Sequence, residues 1–412
     1  MNTSRRKSRK SFSSSMGGRG HQSNASEEAE SSKGVSIRGR ILEDEDRHQS
    51  IESIHVSSTF PSIVGTCTLM CPARERVQRE RLRDLSVFER LNGHLGKTSP
   101  SLAVKKFCRT ISTMRVQESD VRTLPVLKET LHYLLNLLDS SEQPFEVVHD
   151  FVFDRTRSIR QDLSMQNIVN DEAIHMYEEM VKFYIVSHHK LLWSNCNPNI
   201  SSMHYLNLEQ LRKSLSSLYD MYDANRKSSS ISKNEAEFRS FYVLLHLSSN
   251  SQSVGGSLSL WFQRLASPIL KSKEMCFTRK VLRFFRLGNY KCFFATIATE
   301  SSYLQYCLME PYINELRILV VSYINYGGYA HSPYPLAQLS KLLRMKESDM
   351  ESLCNACGLE TSIDKVGNKF LPTKQATFHP PKGGFQNYSF LGLEKLQRHT
   401  RDEDCITTNQ AS

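Results

Sequence analysis

Long apolar runs are absent from this 412-residue sequence, and none approaches the ~20 residues that a membrane-spanning helix needs. The N-terminal residues MNTSRRKSRKSFSSS lack the apolar core of a secretory signal. The sequence also contains no nucleophile elbow, zinc-protease, kinase, phosphate-loop or dinucleotide motif. These absences predict an intracellular protein with no membrane contact and no small-molecule substrate, and they indicate that it is not an enzyme.

The cysteines do not form a complete set of metal ligands. Cys67 and Cys71 lie four apart, but Arg74 stands where a cluster-binding loop would have its third ligand. Cys354 and Cys357 resemble half of a treble-clef zinc finger, yet no second pair precedes them by ~15–20 residues. Two thiolates do not close a tetrahedral site. We therefore expect no metal and no cofactor, and we interpret the cysteines as reduced, buried side chains.

The formal net charge of +10 is unevenly distributed along the chain. Residues 1–40 carry nine Lys/Arg and three Glu, a net charge of +6, so the other 372 residues share +4. The folded body would therefore need a local basic patch to bind nucleic acid. The N-terminal residues contain a predicted nuclear-import cluster, formed by Arg5, Arg6, Lys7, Arg9 and Lys10. A solvated tail and a phosphate-binding arm are the alternative interpretations of this cluster.

Composition and hydrophobic periodicity divide the chain into four parts. Residues 1–58 are rich in Ser, Gly and charge and are predicted to be a disordered basic arm, and residues 381–412 a flexible tail. Apolar residues at helical spacing predict a stack of antiparallel helical hairpins over 59–328. After a first helix that starts at Pro72, the predicted helices lie near 101–110, 121–139, 145–163, 170–193, 205–226, 233–248, 258–267, 274–287, 290–300 and 302–326.

Residues 329–380 follow a different pattern. Leucines at helical spacing predict two short helices, and apolar positions around Gly367-Asn368 predict a two-stranded hairpin. Helix, helix and hairpin form the outline of a winged helix. The predicted fold is therefore mainly α, with stacked helical hairpins capped by a C-terminal winged helix that carries a small β-hairpin.

The segment DRTRSIRQDL (154–163) combines a helical apolar face with closely spaced arginines and aspartates. Isolated surface pairs on a helix add only ~0.3–0.5 kcal/mol, so such a dense network indicates interhelical packing or a binding face. Structural ion pairs are the favoured interpretation.

Seven segments occur in a fixed order that covers roughly residues 60–380. They are GTCTLMCPARERVQRE (65–80), LSVFER (85–90), AVKKFCRT (103–110), RTLPVLKETLHYLL (122–135), DFVFDRTRSIRQDL (150–163), NEAEFRSFYVLLHL (234–247) and FFRLGNYKCFF (284–294). Together they resemble the Sac-three/GANP family, also called the leucine permease transcriptional regulator family. The chain resembles a short plant- or animal-type member of that family. The resemblance implies a PCI-like helical module.

The resemblance also implies a non-catalytic nuclear scaffold. Family members belong to the nuclear-pore-associated complex that couples transcription to mRNA export, so a location in the nucleus, at its envelope or pore, is implied. The winged helix is expected to pair with that of a second PCI-domain subunit, through which a small acidic Dss/Sem-type polypeptide joins. RNA is expected to bind weakly to this chain alone and better to the composite site. Residues 381–412 are too short for the centrin-binding helix of longer relatives, so we expect no pore tethering through such a helix there.

Two sets of residues are candidates for function. The family signature comprises Gly65, Thr66, Cys67, Met70, Cys71, Pro72, Glu75 and Arg76. We expect residues 65–70 to form an extended segment against the helical stack. The expected RNA or partner contacts are Lys341, Arg344, Lys365 and Lys369, although residues 331–380 have six Lys/Arg against five Asp/Glu and a net charge of only +1.

Three other functions are alternatives. The first is a centrosome- or spindle-associated interaction protein of the same family without an RNA role. The second is a subunit of a proteasome-lid-like or signalosome-like PCI assembly, which fits the architecture but not the motif at 65–80. The third is a zinc-dependent DNA binder.

Overall fold

The computed structural model describes residues 63–110, 115–193, 198–226, 232–248, 258–381, 388–394 and 396, which all belong to one compact unit, Pro61–Ser412. The predicted arm 1–58, with its import cluster, lies outside the described residues. Within the described ranges, no helix has the length and apolar character needed to cross a bilayer.

The described chain is mainly helical, as predicted. Its helices are α1 (Ala73–Leu82), α2 (Leu124–Ser140), α3 (Phe145–Met165), α4 (Asp171–Trp193), α5 (Pro198–Asn225), α6 (Glu235–Leu245), α7 (Leu258–Gln263), α8 (Ser267–Leu270), α9 (Lys273–Arg286), α10 (Tyr290–Glu300), α11 (Tyr303–Gly327), α12 (Leu336–Leu342) and α13 (Glu347–Ala356). The strands are β1 (Tyr334–Pro335), β2 (Ser362–Ile363) and β3 (Lys369–Leu371).

Helices that follow one another along the chain pack together. α2 packs on α3, α4 on α5, and α9 on α10. The first pair packs against the second, and α6 and α11 connect the second pair to the third. One hydrophobic core runs through the body and into the C-terminal part; it includes Leu131, Met180, Leu353 and Leu371. The fold is therefore a stack of helical hairpins that buries its apolar stripes between neighbouring helices.

The C-terminal part, residues 334–371, is called the winged end below. Its elements follow the order β1, α12, α13, β2, β3, and the antiparallel sheet has the order β1-β3-β2. β1 pairs Tyr334 with Leu371, and β2 pairs Ile363 with Lys369. This is the arrangement expected of a winged helix, with one strand more than the sequence indicated, because Tyr334–Pro335 is too short to show a period-2 pattern.

The predicted helix at 101–110 is wrong. Helix α1 ends at Leu82, and residues 101–110 form only turns and irregular backbone. The amide of Val104 donates to Glu89 Oε1 at 3.0 Å, and that of Phe107 donates to Asp154 Oδ2 at 3.2 Å. Side chains from elsewhere thus accept the amide protons that a helix would have used.

The predicted flexible tail, 381–412, is corrected at residues 388–394 and 396, and its other residues beyond 381 lie outside the described ranges. Phe390 is buried, and its ring lies 5.0 Å from that of Tyr306 in α11. The carbonyl oxygen of Ser389 accepts a hydrogen bond of 2.9 Å from Arg317 Nη2. This segment packs because two aromatic side chains, Tyr388 and Phe390, reach the core beside α11.

Candidate functional site

Residues 65–70, called the signature segment below together with residues 71 and 72, are anchored against residues 118–123 by backbone hydrogen bonds, with a β-bridge at Cys67 and bends at residues 69 and 70. Cys67 forms a parallel β-bridge with Arg122: its amide donates to the Val121 carbonyl at 3.0 Å, and its own carbonyl accepts from Thr123 N at 3.1 Å. Thr66 N donates to the Glu118 carbonyl at 3.0 Å. Pro72 is the N-cap of α1, one residue before the helix begins.

Gly65 stands where no side chain fits. A Cβ at this position would lie 2.8 Å from the carbonyl oxygens of Val121 and Arg122 and from Gln166 Oε1. Its amide donates to the same Gln166 oxygen at 3.0 Å. The close approach of two backbone segments explains why this position of the motif is a glycine.

We expect Gly65→Ala to lower the free energy of unfolding by roughly 1–3 kcal/mol, because two backbone carbonyls must move to admit the methyl group. Urea denaturation followed by circular dichroism measures the change. Gly96→Ala is the matched control, since its Cβ would meet only ordinary contacts at 3.4 and 3.6 Å. Equal stability of the two variants would contradict this explanation.

The cysteines of the signature segment are buried. Cys67 is 8% exposed and Cys71 fully buried, and burial, helped by the charge of Glu75, raises the pKa of the Cys71 thiol to about 12. Burial likewise raises the pKa of Cys354 to about 12 and that of Cys357 to about 11. In the described ranges, no three His, Cys, Asp or Glu side chains are grouped to hold a metal ion. These thiols are packing groups at neutral pH.

A buried ion cluster around Asp162 fastens the signature segment to α3. Asp162 Oδ1 lies 2.6 Å from Lys105 Nζ, and Oδ2 lies 2.7 Å from Arg122 Nε. Asp162 and Arg122 are fully buried. The Met70 carbonyl accepts from Lys105 N at 2.9 Å and from Arg122 Nη1 at 3.4 Å. The two cations thus connect the CTLMCP segment with the carboxylate.

A second buried cluster surrounds Glu89. Its carboxylate accepts hydrogen bonds from Arg79 Nη2, from Arg155 Nη2 at 3.0 Å and from Ser86 N at 3.0 Å. Burial acts to raise the pKa of Glu89, but the hydrogen bond from Arg79 and the charges of Arg155 and Arg79 outweigh burial and lower the pKa. The cluster joins α1 to α3 and leaves the carboxylate ionised at neutral pH.

The remaining charged residues of the signature, Glu75 and Arg76, lie on α1, and Glu75 is 3.9 Å from Arg79 of the Glu89 cluster. Glu75 Oε1 accepts from Lys106 N at 2.8 Å, and burial raises the pKa of Glu75. Arg76 is half-buried on α1.

The two buried ion clusters assign the DRTRSIRQDL segment mainly to packing, in agreement with the favoured interpretation. Sequence reasoning found this segment but missed its partners Glu89 and Lys105, because they lie 66 and 57 residues along the chain from Arg155 and Asp162.

The four candidate cations of the winged end differ in their surroundings. Lys341, in the last turn of α12, and Lys365, between β2 and β3, are exposed. Arg344 is half-buried with a positive φ of 54°. Lys369 Nζ lies 2.6 Å from Glu351 of α13, and this hydrogen bond raises the pKa of the lysine. The positive charge of Lys369 is thus compensated by Glu351 within the protein.

The helix that precedes the wing is acidic. α13 carries Glu347, Asp349 and Glu351 and no Lys or Arg. Partial burial acts to raise the pKa of Asp349, but hydrogen bonds from Ser389 Oγ and N lower it overall. A helix with three carboxylates repels phosphates, so α13 is a poor candidate for a nucleic-acid groove.

An aromatic stripe lies on α11 just before the winged end. Tyr323 and Tyr326 are each 54% exposed, and Tyr329, after the helix, is 82% exposed. Leu319 lies one turn before Tyr323 and is 38% exposed. Residues three and four apart share one side of a helix, so the stripe forms a continuous apolar surface on α11.

Comparisons with known proteins agree with the ordered segments. The model of the SAC3/GANP family matches residues 70–363. SAC3 family protein B of Arabidopsis thaliana is 36% identical over 313 residues, which are 74% of this chain and 18% of the relative. SAC3 family protein 1 of Schizosaccharomyces pombe is 30% identical over 382 residues, 87% of this chain and 35% of the relative. Protein xmas of Drosophila melanogaster is 28% identical over 325 residues, 74% of this chain and 15% of the relative. The chain thus spans 15% to 35% of the length of these curated relatives.

Proposed function

Because the chain belongs to the SAC3/GANP family, we propose that it is a non-catalytic nuclear scaffold that pairs with a second PCI-domain subunit and helps to load mRNA for export. A small acidic Dss/Sem-type polypeptide joins through that subunit, and the complex works at the nuclear envelope or pore. RNA binds to the pair better than to this chain alone, since the acidic α13 leaves the winged end in need of a partner's positive charge.

The aromatic stripe on α11 is the observation that carries the partner part of this proposal. Exposed tyrosines at helical spacing are unusual for a free surface, whereas Tyr is enriched in the energetic centres of protein interfaces. Tyr326 is held in place by Phe378, whose ring lies 5.8 Å away, and its carbonyl accepts from Lys374 Nζ. A preorganised aromatic surface beside the winged end suits the winged helix of a partner subunit.

We expect Tyr323→Ser combined with Tyr326→Ser to weaken binding of the PCI-domain partner at least about tenfold, because interface hot spots contribute about 2 kcal/mol or more. The partner is first identified by affinity purification of the full chain from nuclei, and its affinity is then measured by calorimetry. Tyr205→Ser is the control, since Tyr205 is 59% exposed on α5. Failure of any PCI-domain protein to co-purify would reject the proposed function itself.

A further inference from the structure

A basic surface lies on the helical body, outside the winged end. Residues 264–291 contain eight Lys/Arg and one acidic residue, Glu274, a net charge of +7. The residues beyond position 40 share +4, so all of them outside this stretch sum to −3. The basic residues, called the basic ridge, are Arg264, Lys271, Lys273, Arg279, Lys280, Arg283, Arg286 and Lys291, all of which are exposed.

Helix α9 orders the centre of the basic ridge. It begins after Ser272, whose Oγ accepts from Met275 N at 3.2 Å, and its apolar side is buried in the core. At about 100° per residue, Arg279, Arg283 and Arg286 fall within about 60° of one another. Three guanidinium groups therefore follow one line along the helix, about one turn apart.

The charge of the basic ridge is largely uncompensated. Lys280 pairs with Glu300 of α10, with Nζ and Oε2 2.9 Å apart, and no ion pair is found for the other seven among the residues that the structure describes. Arginines three and four apart on one helix face repel each other by ~0.2–0.5 kcal/mol per pair. Such an arrangement lowers the stability of the free protein and gains from a bound polyanion.

Aromatic rings accompany the arginines. The Arg279 guanidinium lies 5.9 Å from the centre of the Phe262 ring. Half-exposed rings occur at Trp261, just before this stretch, and at Phe284 and Tyr290 within it. Cationic side chains that follow a backbone, together with rings on which bases stack, are the pattern of single-stranded nucleic-acid binding.

We propose that the basic ridge, with Arg279, Arg283 and Arg286 at its centre, binds the phosphate backbone of single-stranded RNA. This inference rests on the proposed function and places the chain's own RNA contact on α9 instead of on the winged end. Planar guanidinium groups suit bidentate binding of phosphate. The apolar side of α9, with Met275, Val281 and Leu282, is buried, so the helix has no free apolar face to insert into a membrane.

The test measures binding of the full chain to a fluorescent single-stranded poly(U) RNA of about 20 nucleotides, by anisotropy between about 50 and 200 mM NaCl. Combined Arg279→Gln, Arg283→Gln and Arg286→Gln substitutions are expected to weaken binding at least about tenfold. They should also reduce the slope of log affinity against log salt by about 2, since each phosphate contact contributes about 0.7. The thermal midpoint should not fall, because all three side chains are exposed.

The control is Lys341→Gln combined with Lys365→Gln, which removes the exposed cations of the winged end and should leave the affinity of the free chain within about twofold. Loss of binding in this control but not in the arginine variant would overturn the proposal, as would a wild-type chain that does not bind the RNA. Equally tight binding of poly-glutamate would overturn the proposal by identifying an acidic polypeptide as the ligand. Binding to anionic vesicles would overturn it by identifying a membrane surface as the ligand. The proposed function fails separately, when no PCI-domain protein co-purifies.

Discussion

Replacing Asp162 with alanine is expected to lower the free energy of unfolding by roughly 3–5 kcal/mol. The fully buried carboxylate accepts from Lys105 Nζ at 2.6 Å and from Arg122 Nε at 2.7 Å. Its removal leaves two cations without a counter-ion in an environment where neither can be hydrated, which costs far more than the lost attraction. Urea denaturation of the variant and of the wild type, followed by circular dichroism, measures the difference.

Asp84→Ala is the matched control for this experiment. Asp84 also pairs with a lysine, Lys106 at 2.9 Å, but both side chains are about half exposed. Exposed pairs contribute ~0–1 kcal/mol, so this variant should be nearly as stable as the wild type. If the two substitutions cost the same, the Asp162 cluster is not the buried anchor of the signature segment.

The helical body could be predicted well because its signal is local. α11 was expected at 302–326 and runs over Tyr303–Gly327, and α10 lies at the expected 290–300. A capping box of Ser302 and Gln305 marks the start of α11. Amphipathic periodicity and end signals of this kind depend only on neighbours in the sequence, so tertiary contacts seldom override them in long helices.

Non-local hydrogen bonds explain the errors of prediction. The stretch AVKKFCRT has helical spacing, yet Cys108 N donates to Gln161 Oε1 at 3.3 Å, and Lys105 lies in the Asp162 cluster. The partners are 53 and 57 residues away in the sequence. The sequence of residues 101–110 does not indicate that α3 supplies these acceptors, so the helix propensity of the stretch led to a wrong prediction.

The candidate site was predictable in part. The position of the signature segment followed from its proline and apolar residues, whereas the neutralisation of Lys369 by Glu351 depends on the turn that brings β3 back to α13. The basic ridge has a clear signal in the composition, eight basic residues and one acidic residue over 264–291. This signal is lost when charge is summed over whole domains. The helical positions of the residues in α9 are needed to show that three arginines share one face.

Glu89→Gln is expected to destabilise the protein by roughly 3–5 kcal/mol at neutral pH, because Arg79 and Arg155 lose the charge that compensates them. The difference depends on pH. The pKa of Glu89 is lower in the folded than in the unfolded protein, so its contribution is complete above the ordinary glutamate pKa of about 4.3 and is lost as the pH falls through the folded pKa. Denaturation curves between neutral and acidic pH measure this convergence of wild type and variant.

The pH dependence distinguishes the charge of Glu89 from its shape. Glutamine keeps the size of the side chain, so a purely steric role predicts a difference that is small at every pH. Burial raises the pKa of Glu75, so the stability that depends on Glu75 falls as the pH rises. This effect is present in both proteins and largely cancels in the difference between them. Glu172→Gln, which removes an exposed partner of Lys128 at 3.7 Å, should change stability by less than about 1 kcal/mol throughout. A difference for Glu89→Gln that persists undiminished in acid would show that its carboxylate is not what joins α1 to α3.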